Sequence, residues 1–158
     1  MSVRAATVAV TAVLGVGFAS ADALSAQGSE AFACPLSSSN HPRPSFSFGN
    51  SRIAVGLPPR ATFVAVPDGK SGWAFVQRDG WIRTKIGWWT ARGVPRVTGR
   101  RLDRRARPLR VDMGPLSWAS PGGEFYPSLL YFPSVGCWRI TATAGGARLV
   151  AVVRVVRR

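Results

Sequence analysis

Lysine, histidine and carboxylate are all scarce in this chain. Only Lys70 and Lys85 are lysine, His41 is the single histidine, and 7 Asp plus Glu stand against 21 Lys plus Arg. A lone imidazole in a Ser- and Pro-rich stretch leaves no carboxylate-held base for a Ser-His-acid nucleophile. There is no His/Cys cluster with zinc spacing and no acidic calcium loop, and the isolated glycines form no phosphate loop, so no metal or cofactor is expected. Paired acid/base chemistry would have to draw on Asp68, Asp79, Asp103, Asp112 and Glu124. Asp68 and Asp79 each precede a turn glycine, Glu124 follows Pro121-Gly122-Gly123, and Asp103 has arginines on both sides. Turn-making or charge pairing accounts for each, and no catalytic residue is assigned.

Long hydrophobic runs are missing beyond the amino end. There Met1-Ser2-Val3-Arg4 is followed by an uncharged apolar run over 5–18 and by small residues at Ala19-Ser20-Ala21, with Ala21-Asp22-Ala23 and Leu24-Ser25-Ala26 as alternative cleavage points. This is the pattern of a signal peptide, assigned to 1–23, and it is short of the roughly 20 apolar residues that span a bilayer. The later run at 149–156 is broken by Arg154 and has strand length. Cleavage removes one base, Arg4, and one acid, Asp22, so the net charge of +14 is unchanged. About 130 residues remain, enough for one domain with a modest core.

Cysteine is limited to Cys34 and Cys137. An exported chain with only two thiols most simply joins them, closing almost the whole mature domain in one loop and leaving no catalytic thiol. The expected place of work is secreted or extracytoplasmic, in the cell envelope.

What the sequence does contain is a repeating strand signal. Residues 24–50 form a Ser/Pro-rich arm pinned by Cys34. Over 51–158, short apolar runs then alternate with turn signals every ten residues or so, as in a sandwich or barrel. Strands are predicted at 51–57, 62–66, 72–77, 81–89, 95–102, 109–112, 128–132, 137–144 and 148–156, with Asp79-Gly80 as a tight hairpin. No sustained helical period appears. In 137–144, Trp138, Ile140 and Ala142 share one side while Cys137, Arg139, Thr141 and Thr143 take the other. With the apolar set in the core, the cysteine faces outward and the bridge clamps the arm across the outside of a sheet.

The positive excess implies an anionic partner: acidic polymer, lipid headgroup or glycan, with intracellular nucleic acid disfavoured by export. The candidate anion-binding set is Arg92, Arg96, Arg100, Arg101, Arg104, Arg105, Arg107 and Arg110, where alternation puts Arg96 and Arg100 on one strand face and Arg101 on the other. The competing account is a solvated strand edge protected from aggregation. Trp88 and Trp89 are adjacent, so a strand points their rings to opposite faces and one of the pair is a candidate exposed aromatic.

Three stations in order, Gly87-Trp88-Trp89-Thr90-Ala91-Arg92-Gly93, Gly99-Arg100-Arg101-Leu102-Asp103 with Pro108-Leu109-Arg110 downstream, and Phe125-Tyr126-Pro127-Ser128 through Cys137-Trp138-Arg139-Ile140-Thr141, resemble a recurring group of uncharacterised bacterial exported proteins. The resemblance covers roughly 53–156 and implies an all-β, immunoglobulin-like β-sandwich of about seven to nine short strands. It implies no activity. This chain departs from the group at Arg139, where the group usually carries glutamate. The expected function is a non-enzymatic binding domain for an anionic envelope or extracellular partner. The alternatives are a structural or accessory protein-interaction domain and a hydrolase using exposed carboxylates.

Overall fold

In the computed structural model, strands form at Phe48–Gly49 (β1), Ile53–Val55 (β2), Thr62–Val66 (β3), Ala74–Val76 (β4), Ile82–Thr90 (β5), Arg96–Arg101 (β6), Arg110–Met113 (β7), Trp118–Ser120 (β8), Gly123–Phe132 (β9), Gly136–Ala144 (β10) and Ala147–Arg157 (β11). The structure describes residues 32–40, 46–67 and 73–158. The readings placed on 1–23, on the first part of the arm, on His41 and on the Asp68-Gly69 turn lie outside these residues. Within them the fold is all-β, and the helical content is one 3-10 turn at Pro59–Ala61.

Every predicted strand has a counterpart, and β3 has the predicted bounds. Strands β1 and β8 were not foreseen: the first has two residues, and the second has three, all exposed, so neither shows alternation. Strand β9 begins well before the predicted 128, although Pro127 lies within it. The register explains this. β7 pairs with β9 up to Met113 opposite Ser128, and β8 takes over with Trp118 opposite Phe125. Pro127 falls at that changeover, and its carbonyl accepts a hydrogen bond from Gly114 N at 2.8 Å, so the missing N–H faces the one point where no ladder bond is required.

The strands form one hydrogen-bonded sheet in the order β1-β2-β5-β4-β3-β11-β10-β6, with β9 on β5 and both β7 and β8 on β9. This sheet folds over on itself. Counted along the ladder, β9 and β10 are five strands apart, about 24 Å in a flat sheet at about 4.8 Å per strand. Yet Phe132 of β9 packs edge-on against Trp138 of β10 with ring centroids 5.4 Å apart, and against Phe63 of β3 at 5.8 Å. The result is a two-layer packing consistent with a β-sandwich. Phe63, Ile82, Leu130, Phe132, Trp138, Ile140, Val153 and Val155 fill the space between the layers. The free edge of β6 also approaches β7, where Leu109 N donates to Gly99 O at 3.1 Å. A Cβ on Gly99 would stand 2.7 Å from the Leu109 side chain, so this contact requires glycine.

Cys34 and Cys137 are joined, the covalent tie expected from an oxidising compartment. The alternation of β10 holds: Trp138, Ile140 and Ala142 are buried in the core and Cys137 lies on the other side. The thiol position is nonetheless buried rather than open to solvent. The arm covers it, with Ser37 N donating to Val152 O and Ser37 Oγ accepting from Val152 N, both at 2.9 Å. The arm thus docks on β11 just ahead of the stretch where β3 pairs with it, from Arg154 opposite Thr62 onward.

One backbone feature is unusual. Arg60 and Ala61, neither of them glycine, have φ of 52° and 47°. Left-handed conformation in such residues costs roughly 1–2 kcal/mol each. Ala61 N donates to Pro58 O at 2.9 Å, closing the tight turn that feeds β3.

Candidate functional site: an arginine-bearing sheet face

On the layer built from β6, β10 and β11, register decides which arginines meet. Residues directly opposite share a face. Arg96 faces Thr143, Thr98 faces Thr141 and Arg100 faces Arg139 across β6 and β10. Across β10 and β11, Thr143 faces Arg148, Thr141 faces Val150 and Cys137 faces Arg154. The outward positions therefore carry Arg96, Arg100, Arg139, Arg148 and Arg154, all exposed. Like charges directly opposite destabilise a sheet, and Arg100 with Arg139 is such a pair. Between them lies a shallow depression lined by Thr98, Arg100, Arg139 and Thr141, which places hydroxyl groups beside the two guanidinium groups. Among the described residues the one ion pair is Arg101 with Asp103, so none of the five is neutralised by a carboxylate.

The clustered arginines of the sequence do not stay together. Arg96 and Arg100 reach the face just described, whereas Arg110 stacks over Tyr131 with its guanidinium carbon 3.9 Å from the ring centroid, and Arg107 lies over Trp81 at 5.3 Å. Tyr131 is the cross-strand partner of both Arg83 and Arg110, and Arg83 in turn covers Phe75 at 4.1 Å. These cations sit on the opposite layer, packed on aromatic rings. Arg104 and Arg105 are exposed in the connection between β6 and β7, and Arg92 is exposed in the turn after β5. Sequence reasoning missed Arg139, Arg148 and Arg154. Their strand alternation marks them as outward, but pairing with Arg96 and Arg100 is a matter of register between distant segments.

Arg101 is engaged elsewhere. Its Nε and Nη2 donate to the two Asp103 carboxylate oxygens at 2.6 and 3.0 Å, and Nη1 donates to Ser134 Oγ at 3.0 Å. Its side chain is nearly buried, which removes it from the anion-binding set. The Arg101 hydrogen bonds hold the Asp103 carboxyl below its ordinary value of 3.8, against an opposing effect of partial burial. A carboxylate depressed in the folded state contributes stability that is present above its unfolded value and lost as pH falls through the folded one. Wild-type protein should therefore lose stability more steeply on acidification below about pH 4 than Asp103→Asn, when denaturant midpoints are compared across pH. Parallel curves for the two proteins would refute the pairing.

Asp79 and Glu124 are likewise held by hydrogen bonds within the fold. Asp79 Oδ1 accepts from Trp81 N in its hairpin turn. Glu124 Oε2 accepts from Gly93 N at 2.9 Å and from the Tyr126 hydroxyl at 2.6 Å, and this bond raises the Tyr126 pKa above its ordinary 10.0. Asp112 lies on β7 beside Lys85. Among the described residues no group of His, Cys, Asp and Glu is placed to hold a metal ion, and no helix is long and apolar enough to cross a membrane.

The expected exposed ring at Trp88 or Trp89 gives way to a different picture, because they are only 1 % and 3 % exposed. Trp88 enters the core and its Nε1 donates to the buried Ser128 Oγ at 2.9 Å. Trp89 is on the outer side of β5 but is covered there, since a Cβ on Gly123 would fall 2.5 Å from its indole. Among the described residues the exposed aromatic rings are Phe32 and Trp73, both at 52 %, and Trp118 at 50 %. Comparison with protein-family models, curated proteins and solved structures finds no match.

Proposed function

We propose that the chain is an exported, non-enzymatic β-sandwich binding domain whose arginine face takes an anionic polymer, headgroup or glycan outside the cytoplasm. The observation that carries this reading is the cross-strand pairing of Arg100 with Arg139, in line with Arg96, Arg148 and Arg154 and with threonines between them. A bound anion relieves the repulsion between opposed guanidinium groups and accepts their charge-assisted hydrogen bonds. The bridge between Cys34 and Cys137 supports an oxidising location. An immunoglobulin-like arrangement is supported by the two-layer packing around the buried Trp138. The engagement of Asp79, Asp103 and Glu124 in turns and clamps supports a binding role over hydrolysis.

Titration of a polyanion series against salt tests it. Wild-type protein should bind acidic polymers at low salt, with log K falling linearly against log salt, and the double variant Arg100→Ala/Arg139→Ala should flatten that slope by about two charges' worth. Arg139→Glu should weaken binding further while stabilising the fold by about 0.2–1 kcal/mol, since it replaces a repulsive cross-strand pair with an attractive one. Absence of binding at low salt, or a slope unmoved by the double variant, removes the proposal.

A further inference from the structure

Where the arginine face passes onto β3 it acquires a groove. Arg154 stands opposite Thr62 and Val156 opposite Val64 in the parallel β11–β3 register. These four residues, together with Arg60 and the exposed Trp73, line a concavity of about 460 Å³, within the range typical of small-ligand sites. Two valines, an indole and two exposed arginines from different segments thus share one lining. Arg60 is also one of the two non-glycine residues held at positive φ. Such strain persists only where the surrounding structure enforces it, and it concentrates at ligand-gripping sites.

We infer that this groove binds an acidic sugar unit, the Trp73 ring lying against the apolar face of the pyranose while Arg60 and Arg154 take its carboxylate. The inference rests on the anionic-partner reading and narrows it to a uronate-type glycan. An indole offers a broad apolar surface with a polar edge, matched to a sugar ring's mixed character. Guanidinium groups suit planar carboxylates by forked hydrogen bonding. Polyphosphate has the charge but no apolar face for the indole. A flat lipid surface has no unit that enters a concavity. Both would use the open arginine face without the groove.

The test compares oligogalacturonate, a neutral maltooligosaccharide, inorganic polyphosphate and phosphatidylglycerol vesicles by tryptophan emission and calorimetry, with circular dichroism confirming the fold of each variant. Oligogalacturonate alone should shift the emission to the blue, and Trp73→Phe should abolish that shift while salt-dependent binding of polyphosphate persists. Arg154→Ala should weaken uronate binding about tenfold, the effect of losing one charge-assisted contact. Arg60→Gly should raise the melting midpoint by relieving backbone strain and at the same time weaken uronate binding, a combination that a merely structural arginine does not produce. If all polyanions bind alike, or the shift survives in Trp73→Phe, the groove assignment is overturned and the arginine face stands. If no polyanion binds in any arm, the broader reading falls and takes the groove with it.

Discussion

Replacing Cys34 and Cys137 together by alanine should cost about 4–5 kcal/mol, the chain-entropy value for a loop of about 100 residues. The closed loop here spans 103 positions. Against the roughly 5–15 kcal/mol by which a typical domain is stable, a loss of about this size removes about a quarter or more of the total. Cys137 is buried beneath the arm, so the change also loosens the cover over the outer side of β10. The hydrogen bonds between Ser37 and Val152 remain available, but without the covalent tie the arm must hold its place by those contacts alone. Guanidinium unfolding of the oxidised protein, the reduced protein and the double variant would measure this directly. Coincident midpoints for all three would show that the bridge contributes nothing.

Trp138→Ala should cost about 3–5 kcal/mol, the range for deleting a fully buried large aromatic. Trp138 has no solvent exposure, donates through Nε1 to Ser134 O at 3.2 Å and meets Phe132 from the opposite layer. Removing the indole therefore opens a cavity where the folded-over sheet touches itself and leaves the Ser134 carbonyl without that bond. Neither neighbour can easily close the space, since Phe132 is itself held against Phe63. Trp138→Phe retains part of the packing and should fall well short of the alanine loss. Denaturant midpoints for the two variants give the comparison, and an alanine cost below about 1 kcal/mol would mean the layers collapse freely around the gap.

Much of the strand pattern was readable because burial on one face imposes a period of two. β10 is the clearest case: Trp138, Ile140 and Ala142 had to face one way, and with them the arginine and threonines had to face the other. The pairing of Cys34 with Cys137 followed from their being the only cysteines in a chain read as exported. Short exposed strands were invisible for the converse reason, as Trp118–Ser120 has no buried face to impose a rhythm. The adjacency of Trp88 and Trp89 correctly sends them to opposite sides, but alternation does not say what covers the outer side. For the candidate site, alternation showed Arg96 and Arg100 as a pair on one face and Arg101 on the other, but not that Asp103 and Ser134 close around Arg101.

Residue order alone determined the all-β class, the inward set of each long strand and the surplus of guanidinium over carboxylate, since these depend on local periodicity and simple counting. Which arginines stand together was decided by tertiary structure. Arg100 and Arg139 meet, Arg107 and Arg110 leave for aromatic rings on the other layer, and Arg60, Trp73 and Arg154 converge on one groove. The physical reason is that register between remote strands depends on the total burial and hydrogen bonding of the folded sheet, and no short stretch of chain contains that sum.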